Sequence, residues 1–287
     1  MQKTWFITGA ARGLGLEIAK AALRSGDRVV AAARRRETIT EKLGPDSEHL
    51  LCVALDVTDA AQARAAVDAA VARFGGIDVL VNNAGYGHLG FFEEQTIADV
   101  EAQFATNLYG AFHVTWAALP VMRAARRGHV FNISSLSGLL GVDMGSLYSA
   151  SKFALEGWSE ALAREIAPFG LHLTIVEPGP FRTDFLTGES LRYGATQIDD
   201  YDERRTALRA GFEDRNGRQS GDPTRLADAI VKLAAGPSPP LRFIAGSQAV
   251  NAAATKFASL AQQLEVQRAA GIACDGDYDD VLLQKLG

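Results

Sequence analysis

Short apolar runs alternate with longer amphipathic stretches along most of the chain. Runs at 5–8, 29–33, 51–55, 79–82, 129–133, 171–176 and 241–245 have the length and residue types of strands. Helical spacing fills 15–25, 60–74, 97–125 (one helix or two), 149–169 and 223–235. Strand followed by helix, repeated in this way, predicts an α/β protein with a doubly wound parallel sheet of about seven strands and helices on both faces. Val79-Leu80-Val81 is apolar at consecutive positions, as a strand covered on both faces requires.

Two segments break the rhythm. Residues 184–221 are dense in arginine and acidic side chains and poor in apolar ones, which predicts an exposed insertion, a mobile substrate lid over the site. Residues 249–266 return to a helical pattern rich in Ala and Gln, inside a C-terminal extension at 247–287. No Pro/Ser/Gly-rich linker divides the chain, so 1–287 is expected to be a single dinucleotide-binding and catalytic domain. A length of 287 residues is enough to bury a large core without staples.

Composition narrows the function classes. With 29 basic and 34 acidic residues the net charge is −5, which argues against a general nucleic-acid or membrane-surface binder. The two cysteines, Cys52 and Cys274, form no metal or redox motif, and no metal is expected. Cysteine usage and the absence of a leader-like or 18-residue apolar run predict a cytoplasmic protein with no membrane span.

The first strand leads into Thr8-Gly9-Ala10-Ala11-Arg12-Gly13-Leu14-Gly15 and then into a helical pattern. Between strand and helix, Gly9 allows a sharp turn, Gly13 allows a pyrophosphate close to the backbone, and Gly15 allows the helix to pack tightly. The helix N-terminus supplies N–H groups and partial positive charge for the phosphates. This is the Rossmann-type signature of a dinucleotide site. The second strand ends at Ala33 with Arg34-Arg35-Arg36 next and no carboxylate before Glu37. An acid there would repel a 2′-phosphate, whereas a guanidinium binds it. Arg34 and Arg12 are therefore the expected contacts, and NADP(H) the expected cofactor.

The helix opening Tyr148-Ser149-Ala150-Ser151-Lys152 carries an inward stripe through Leu155, Ser159, Leu162 and Ile166. Tyr148 and Lys152 start that stripe, one turn apart. A free phenol, with pKa near ~10, exchanges protons poorly at neutral pH. A neighbouring ammonium stabilises the phenolate and makes the pair suited to general acid/base work. The fifth strand ends in Ser134-Ser135, thirteen residues before Tyr148. Ser135 is the candidate to hold a substrate oxygen, and Ser134 and Ser137 read as turn residues. The remaining strand ends add Asp56 and Val57, then Asn83, Ala84 and Gly85, then Pro178, Gly179 and Thr183 as cofactor contacts. Asp56 is assigned to an adenine amino group and Thr183 to a carboxamide. Asn107 lies in a helical stretch on an inward face, where its amide needs a partner.

Taken together, TGAARGLG, NNAG at residues 82–85, Asn107, the Ser135-to-Tyr148 spacing, YSASK and PGPFRT resemble the motifs of the short-chain dehydrogenase/reductase family, single-domain NADP(H)-preferring branch. The resemblance spans about residues 3 to 246. It implies hydride transfer between a nicotinamide and a carbonyl or alcohol carbon. Asn107, Ser135, Tyr148 and Lys152 would be catalytic: Ser135 orients the substrate oxygen, Tyr148 is the acid/base, Lys152 tunes it and binds the nicotinamide ribose, and Asn107 holds a water. It also implies a homodimer or homotetramer and a small carbonyl or alcohol substrate. Phe185, Leu186, Leu191, Tyr193, Leu136, Leu139, Val142 and Met144 would line an apolar pocket for it. The competing readings are a non-catalytic NADP(H)-sensing regulator of the same fold and a sugar-nucleotide epimerase. A sensor has no need of intact catalytic residues. An epimerase differs in glycine spacing and needs a sugar domain for which little chain remains.

Overall fold

The computed structural model describes residues 2–186 and 190–276. In chain order its elements are β1 (Thr4–Thr8), α1 (Gly13–Arg24), β2 (Arg28–Ala33), α2 (Arg36–Leu43), β3 (Leu50–Ala54), α3 (Ala60–Phe74), β4 (Val79–Asn82), β5 (Gly87–Leu89), α4 (Ile97–Phe104), α5 (Gly110–Ala125), β6 (Gly128–Ile133), α6 (Ser146–Ile166), β7 (Leu171–Pro178), β8 (Leu191–Tyr193), α7 (Asp202–Arg215), α8 (Pro223–Ala235), β9 (Arg242–Ala245) and α9 (Ser247–Ile272).

Trp5 and Ile7 of β1 face one core and Phe6 the other. Successive strand side chains point to opposite faces, and both faces are covered here. Seven strands pair in the order β3-β2-β1-β4-β6-β7-β9, all parallel, as the alternation predicts. Ile18 of α1, Ile39 of α2 and Ile230 of α8 cover one face. Val67 of α3, Val114 of α5 and Leu162 of α6 cover the other. The order reverses between β1 and β4, so the carboxyl ends of β1, β2, β4 and β6 open around one crevice.

The sequence leaves α2 unread, because only Ile39 of its eight residues is buried and no stripe forms. The stretch 97–125 is two helices joined by a π-helical turn, Ala105–Tyr109. Residues 190–221 are mostly exposed but form elements of their own. β8 pairs in parallel with β5, and Leu191 packs with Leu89, Phe91 and Met144 in a small separate core. Arg205 of α7 is buried against Glu94. Met144 thus belongs to this core and not to the pocket. Within the expected lid, 187–189, and at the end of the extension, 277–287, the residues lie outside those described. Only Ala249 and Ala253 of α9 are buried. Among the described residues no helix is long and apolar enough to cross a membrane. Among them, no cluster of His, Cys and acidic side chains could hold a metal.

Candidate active site

A cavity of about 860 Å³ lies along the carboxyl ends of the strands. It brings together Gly9, Arg12, Gly13, Leu14, Arg34, Asp56, Val57, Asn83, Ala84, Gly85, Ser135, Tyr148, Lys152, Pro178, Gly179 and Thr183. Of the expected catalytic and cofactor-binding residues, Gly15 and Asn107 do not line it.

The glycine turn is built for a close visitor. Gly13 has φ +53°, and a Cβ there would meet only Thr183 at 3.6 Å. At Gly15 a Cβ would fall 2.4 Å from the Gly9 carbonyl and from Asn83 Nδ2, so it is the turn itself that excludes a side chain. Asn83 donates from Nδ2 to Thr8 O at 2.9 Å and Gly9 O at 3.2 Å. Thr8 Oγ1 accepts from the amides of Asn83 and Ala84. The NNAG segment therefore braces the turn with its side chain and faces the cavity with small residues. α1 has no side-chain cap at its N-terminus, which follows directly on the glycine turn. Its first amides have no intrahelical partner and lie beside the cavity, an arrangement that fits a pyrophosphate.

At the other end of this half, Arg34 and Arg35 line the cavity with Thr38, Glu41 and Lys42, three basic groups to one acid. Arg36 is used elsewhere: it bonds the Cys52 carbonyl and the Asp46 carboxylate. Arg35, Thr38 and Lys42 were not singled out from sequence, since the turn into α2 that gathers them was itself unread. One oxygen of Asp56 accepts from Thr58 N and Oγ1, and Asp59 caps α3.

Tyr148 and Lys152 lie on the buried stripe of α6, with exposures of 8 % and 5 %. Lys152 Nζ is 5.8 Å from the phenol ring centre and donates to the Ile133 carbonyl at 2.8 Å. Burial pushes the Tyr148 phenol up to about 12, with the Ser135 hydroxyl pulling it back down. Burial lowers Lys152 to about 8, opposed by the charge of Glu156. Ser135 Oγ accepts from the Ser137 amide at 3.1 Å, which leaves its proton to donate. Asn107 sits in the π-helical turn. Its Oδ1 accepts from Tyr86 N at 3.0 Å, and its Nδ2 donates to Tyr86 O at 3.0 Å and Ser151 Oγ at 3.2 Å. The amide thus clamps the chain just after NNAG to α6.

Beyond Tyr148 the lining becomes apolar and aromatic. Phe185 lies 5.7 Å from the Tyr148 ring, and Leu186 and Tyr86 join it. Arg192 covers Tyr86 at 4.7 Å. Tyr86 and Arg192 carried no signal in the sequence, because β5 and β8 were not predicted. Leu136, Leu139 and Val142 do not line the cavity, and Leu191 and Tyr193 pack beneath it.

An open Rossmann-type sheet, an uncapped helix at a glycine turn, and a buried Tyr–Lys pair beside a strand-end serine define a dinucleotide-dependent oxidoreductase site. Residues 3–193 match the family model described as short chain dehydrogenase, and the chain belongs to that family. It is 40% identical over 251 residues to the oxidoreductase BOA17 of Botryotinia fuckeliana, covering 87% of this chain and 91% of the relative. The crystal structure of a short-chain dehydrogenase from Streptomyces avermitilis superposes with a TM-score of 0.86 at 36% identity, covering 95% of this chain and all of that one. ElxO with NADP bound gives 0.69 at 28% identity, over 83% and 94% of the two chains.

Proposed function

We propose that this oxidoreductase is NADP(H)-dependent, and that it moves a hydride between the nicotinamide and a carbonyl or alcohol carbon with Tyr148 as general acid/base. The observation that carries the reading is the buried Tyr148, with Lys152 beneath its ring and Ser135 beside it, in one cavity with the glycine turn. The cofactor supplies or accepts the hydride. The chain's residues hold the substrate oxygen, through Ser135, and give it or take from it a proton, through Tyr148. Lys152 stabilises the phenolate. Arg12, Arg34, Arg35 and Lys42 support NADP(H) over NAD(H), since no strand-end carboxylate opposes a 2′-phosphate. ElxO, a structural relative, is known with NADP bound.

Phe185, Leu186 and Tyr86 favour a mainly apolar substrate. Segment 190–221 covers that end as a lid. Exposed Tyr109, Trp116 and Phe153 on the turn before α5, on α5 and on α6 offer a face for a homodimer or homotetramer, which Trp116→Glu should weaken in sedimentation.

A panel of apolar ketones, aldehydes and alcohols, followed by NADPH absorbance, tests the reading. Turnover should fall at least ~100-fold in Tyr148→Phe while NADPH still binds. Near-full turnover in that variant, or tight NADPH binding with no turnover of the whole panel by the wild type, would overturn it.

A further inference from the structure

Behind Lys152 lie two buried carboxylates that the proposed chemistry does not use. Glu156 stands one turn beyond Lys152 on α6 and is 5 % exposed; Glu177, near the end of β7, is fully buried. Arg242 of β9 reaches both. Its Nη1 donates to Glu156 Oε2 at 2.5 Å and to Glu177 Oε1, and its Nη2 donates to Glu160 on the outer side of α6. The other oxygens, Glu156 Oε1 and Glu177 Oε2, are buried with no hydrogen-bond partner, and so is Ser134 Oγ. A Cβ on Gly138 would lie 2.6 Å from Ser134 Oγ and 2.8 Å from Glu156 Oε1, so these two oxygens border the same small space. Ser134 also lines the cavity, between Ile133, whose carbonyl Lys152 holds, and Ser135.

The Ser134 hydroxyl can donate to Glu156 Oε1, but Glu177 Oε2 then still lacks a donor, and a buried carboxylate oxygen without one carries a large desolvation penalty. A protonated carboxyl supplies the missing donor itself. The charges give the same answer. The groups facing one another are Lys152, Glu156 and Glu160 on α6, Glu177 on β7 and Arg242 on β9, with the neutral Ser134 hydroxyl. Glu160 is half exposed and solvated, so the interior carboxylates Glu156 and Glu177 share one guanidinium, Arg242, and one proton retained between them makes that trio neutral. Burial and neighbouring negative charge push Glu156 and Glu177 upward, against a hydrogen bond from the Ser134 hydroxyl to Glu156 and the pull of Arg242 on both.

We propose that Glu156 and Glu177 share one proton and act as positioning residues that set the charge of Lys152, and through it the pH at which Tyr148 can accept a proton. This rests on the oxidoreductase reading above. When the pair releases its proton to water, Glu156 gains a full negative charge one turn from Lys152. That charge favours the ammonium, and the ammonium favours the phenolate. Alcohol oxidation, in which the phenolate takes the substrate proton, therefore gains an ionisation from the pair and accelerates as pH rises through it.

Infrared titration of the purified chain carrying ¹³C-labelled glutamate tests the shared proton without any substrate. A protonated glutamate carbonyl band should be present at neutral pH, disappear on alkaline titration and be missing from Glu156→Gln and Glu177→Gln. Absence of that band in the folded wild type overturns the proposal whether or not a substrate is known, and whether or not either variant folds. Persistence of the band in both variants also overturns it.

The second readout is the pH profile of kcat for alcohol oxidation. Glu177→Gln leaves Glu156 alone with Arg242, so the rise should move to lower pH. Glu156→Gln removes the charge facing Lys152, so the rise should move up by about one pH unit, with neutral-pH kcat down about tenfold. KM for NADP⁺ should stay within about twofold of wild type. A pair that only braces the fold would lower thermal stability and leave the profile in place, and that result counts against the proposal. Loss of Tyr148 dependence, by contrast, would sink the oxidoreductase reading and leave the infrared result standing.

Discussion

Lys152 Nζ donates to the carbonyl of Ile133 at 2.8 Å, tying α6 to the last residue of β6. The bond fixes the ammonium beneath the Tyr148 ring and places that ring beside Ser135. Burial lowers the lysine to about 8, so its charge state is adjustable near physiological pH. Lys152→Met keeps the bulk and loses both charge and donor, leaving a buried carbonyl short of a partner. We expect kcat to fall at least about 100-fold, with a higher KM for the cofactor. Steady-state NADPH oxidation measures both, and a kcat within a few-fold of wild type would count against a role for the ammonium.

Removal of the Arg34 guanidinium should change which dinucleotide binds. Arg34 lines the cavity, and Arg35 and Lys42 share its end. A charge-assisted contact to a 2′-phosphate has no counterpart in NAD⁺. Arg34→Ala should weaken NADP⁺ by about tenfold and leave NAD⁺ nearly unchanged, the partial loss reflecting the remaining basic groups. The NADP⁺ advantage should also shrink as salt is added. Fluorescence titrations with both cofactors decide it. Equal weakening of the two would show that Arg34 holds something common to both.

Local patterns made much of this site legible. The glycines at 9, 13 and 15, and Tyr148 with Lys152, each form a motif within a few consecutive residues, and Ser135 sits at the end of its own strand, so periodicity and turn chemistry reveal each of them locally. Asn107 was legible as a buried amide, but its partners, the Tyr86 backbone and Ser151, come from other elements and cannot be read from its neighbours. The same limit hid the Arg242 cluster, whose four residues come from α6, β7 and β9. Segment 190–221 looked exposed because its charged residues outnumber its apolar ones. Arg205, buried against Glu94, shows that a charge can be interior when a distant strand–helix connection supplies its partner. α2 escaped notice for the opposite reason, as one buried isoleucine makes no period.

Acid stability should depend on His129. It is buried in β6, stacked on Phe131 at 3.9 Å, with Nε2 at 2.9 Å from Thr174 Oγ1. Thr174 donates its own proton to Pro240 O, so Nε2 is the donor toward Oγ1. Burial, with His172 and Lys3 nearby, depresses the imidazole to about 3 from 6.5. Below the unfolded value the unfolded chain binds a proton that the folded chain refuses. The stability from this site is thus full above about pH 6.5 and is lost as pH falls toward 3, by up to about 1.4 kcal/mol per unit. His129→Gln keeps a donor and removes the titration. Urea midpoints across this range should fall less steeply in the variant; parallel slopes would refute the assignment.

The attachment of segment 190–221 rests on an ion pair that can be cut. Arg205 of α7 is paired with Glu94 and with Asp202, and Glu94 Oε1 also accepts from the Ile198 amide at 3.0 Å. Arg205→Met leaves the Glu94 carboxylate, 2 % exposed, with only that amide. Breaking a buried pair this way costs about 3–5 kcal/mol. The loss falls on α7, β8 and the Leu89–Leu191 core, because the glycine turn and α6 are anchored by the central sheet. Limited proteolysis should become faster within 190–221. KM for an apolar substrate should rise, while the NADPH dissociation constant stays within about twofold. The double variant Arg205→Met with Glu94→Leu should recover much of the protection, since no charge is then left unpaired. If proteolysis of this segment is unchanged in Arg205→Met, the pair does not hold the cover in place, and the apolar contacts of Leu191 and Phe91 must do so instead.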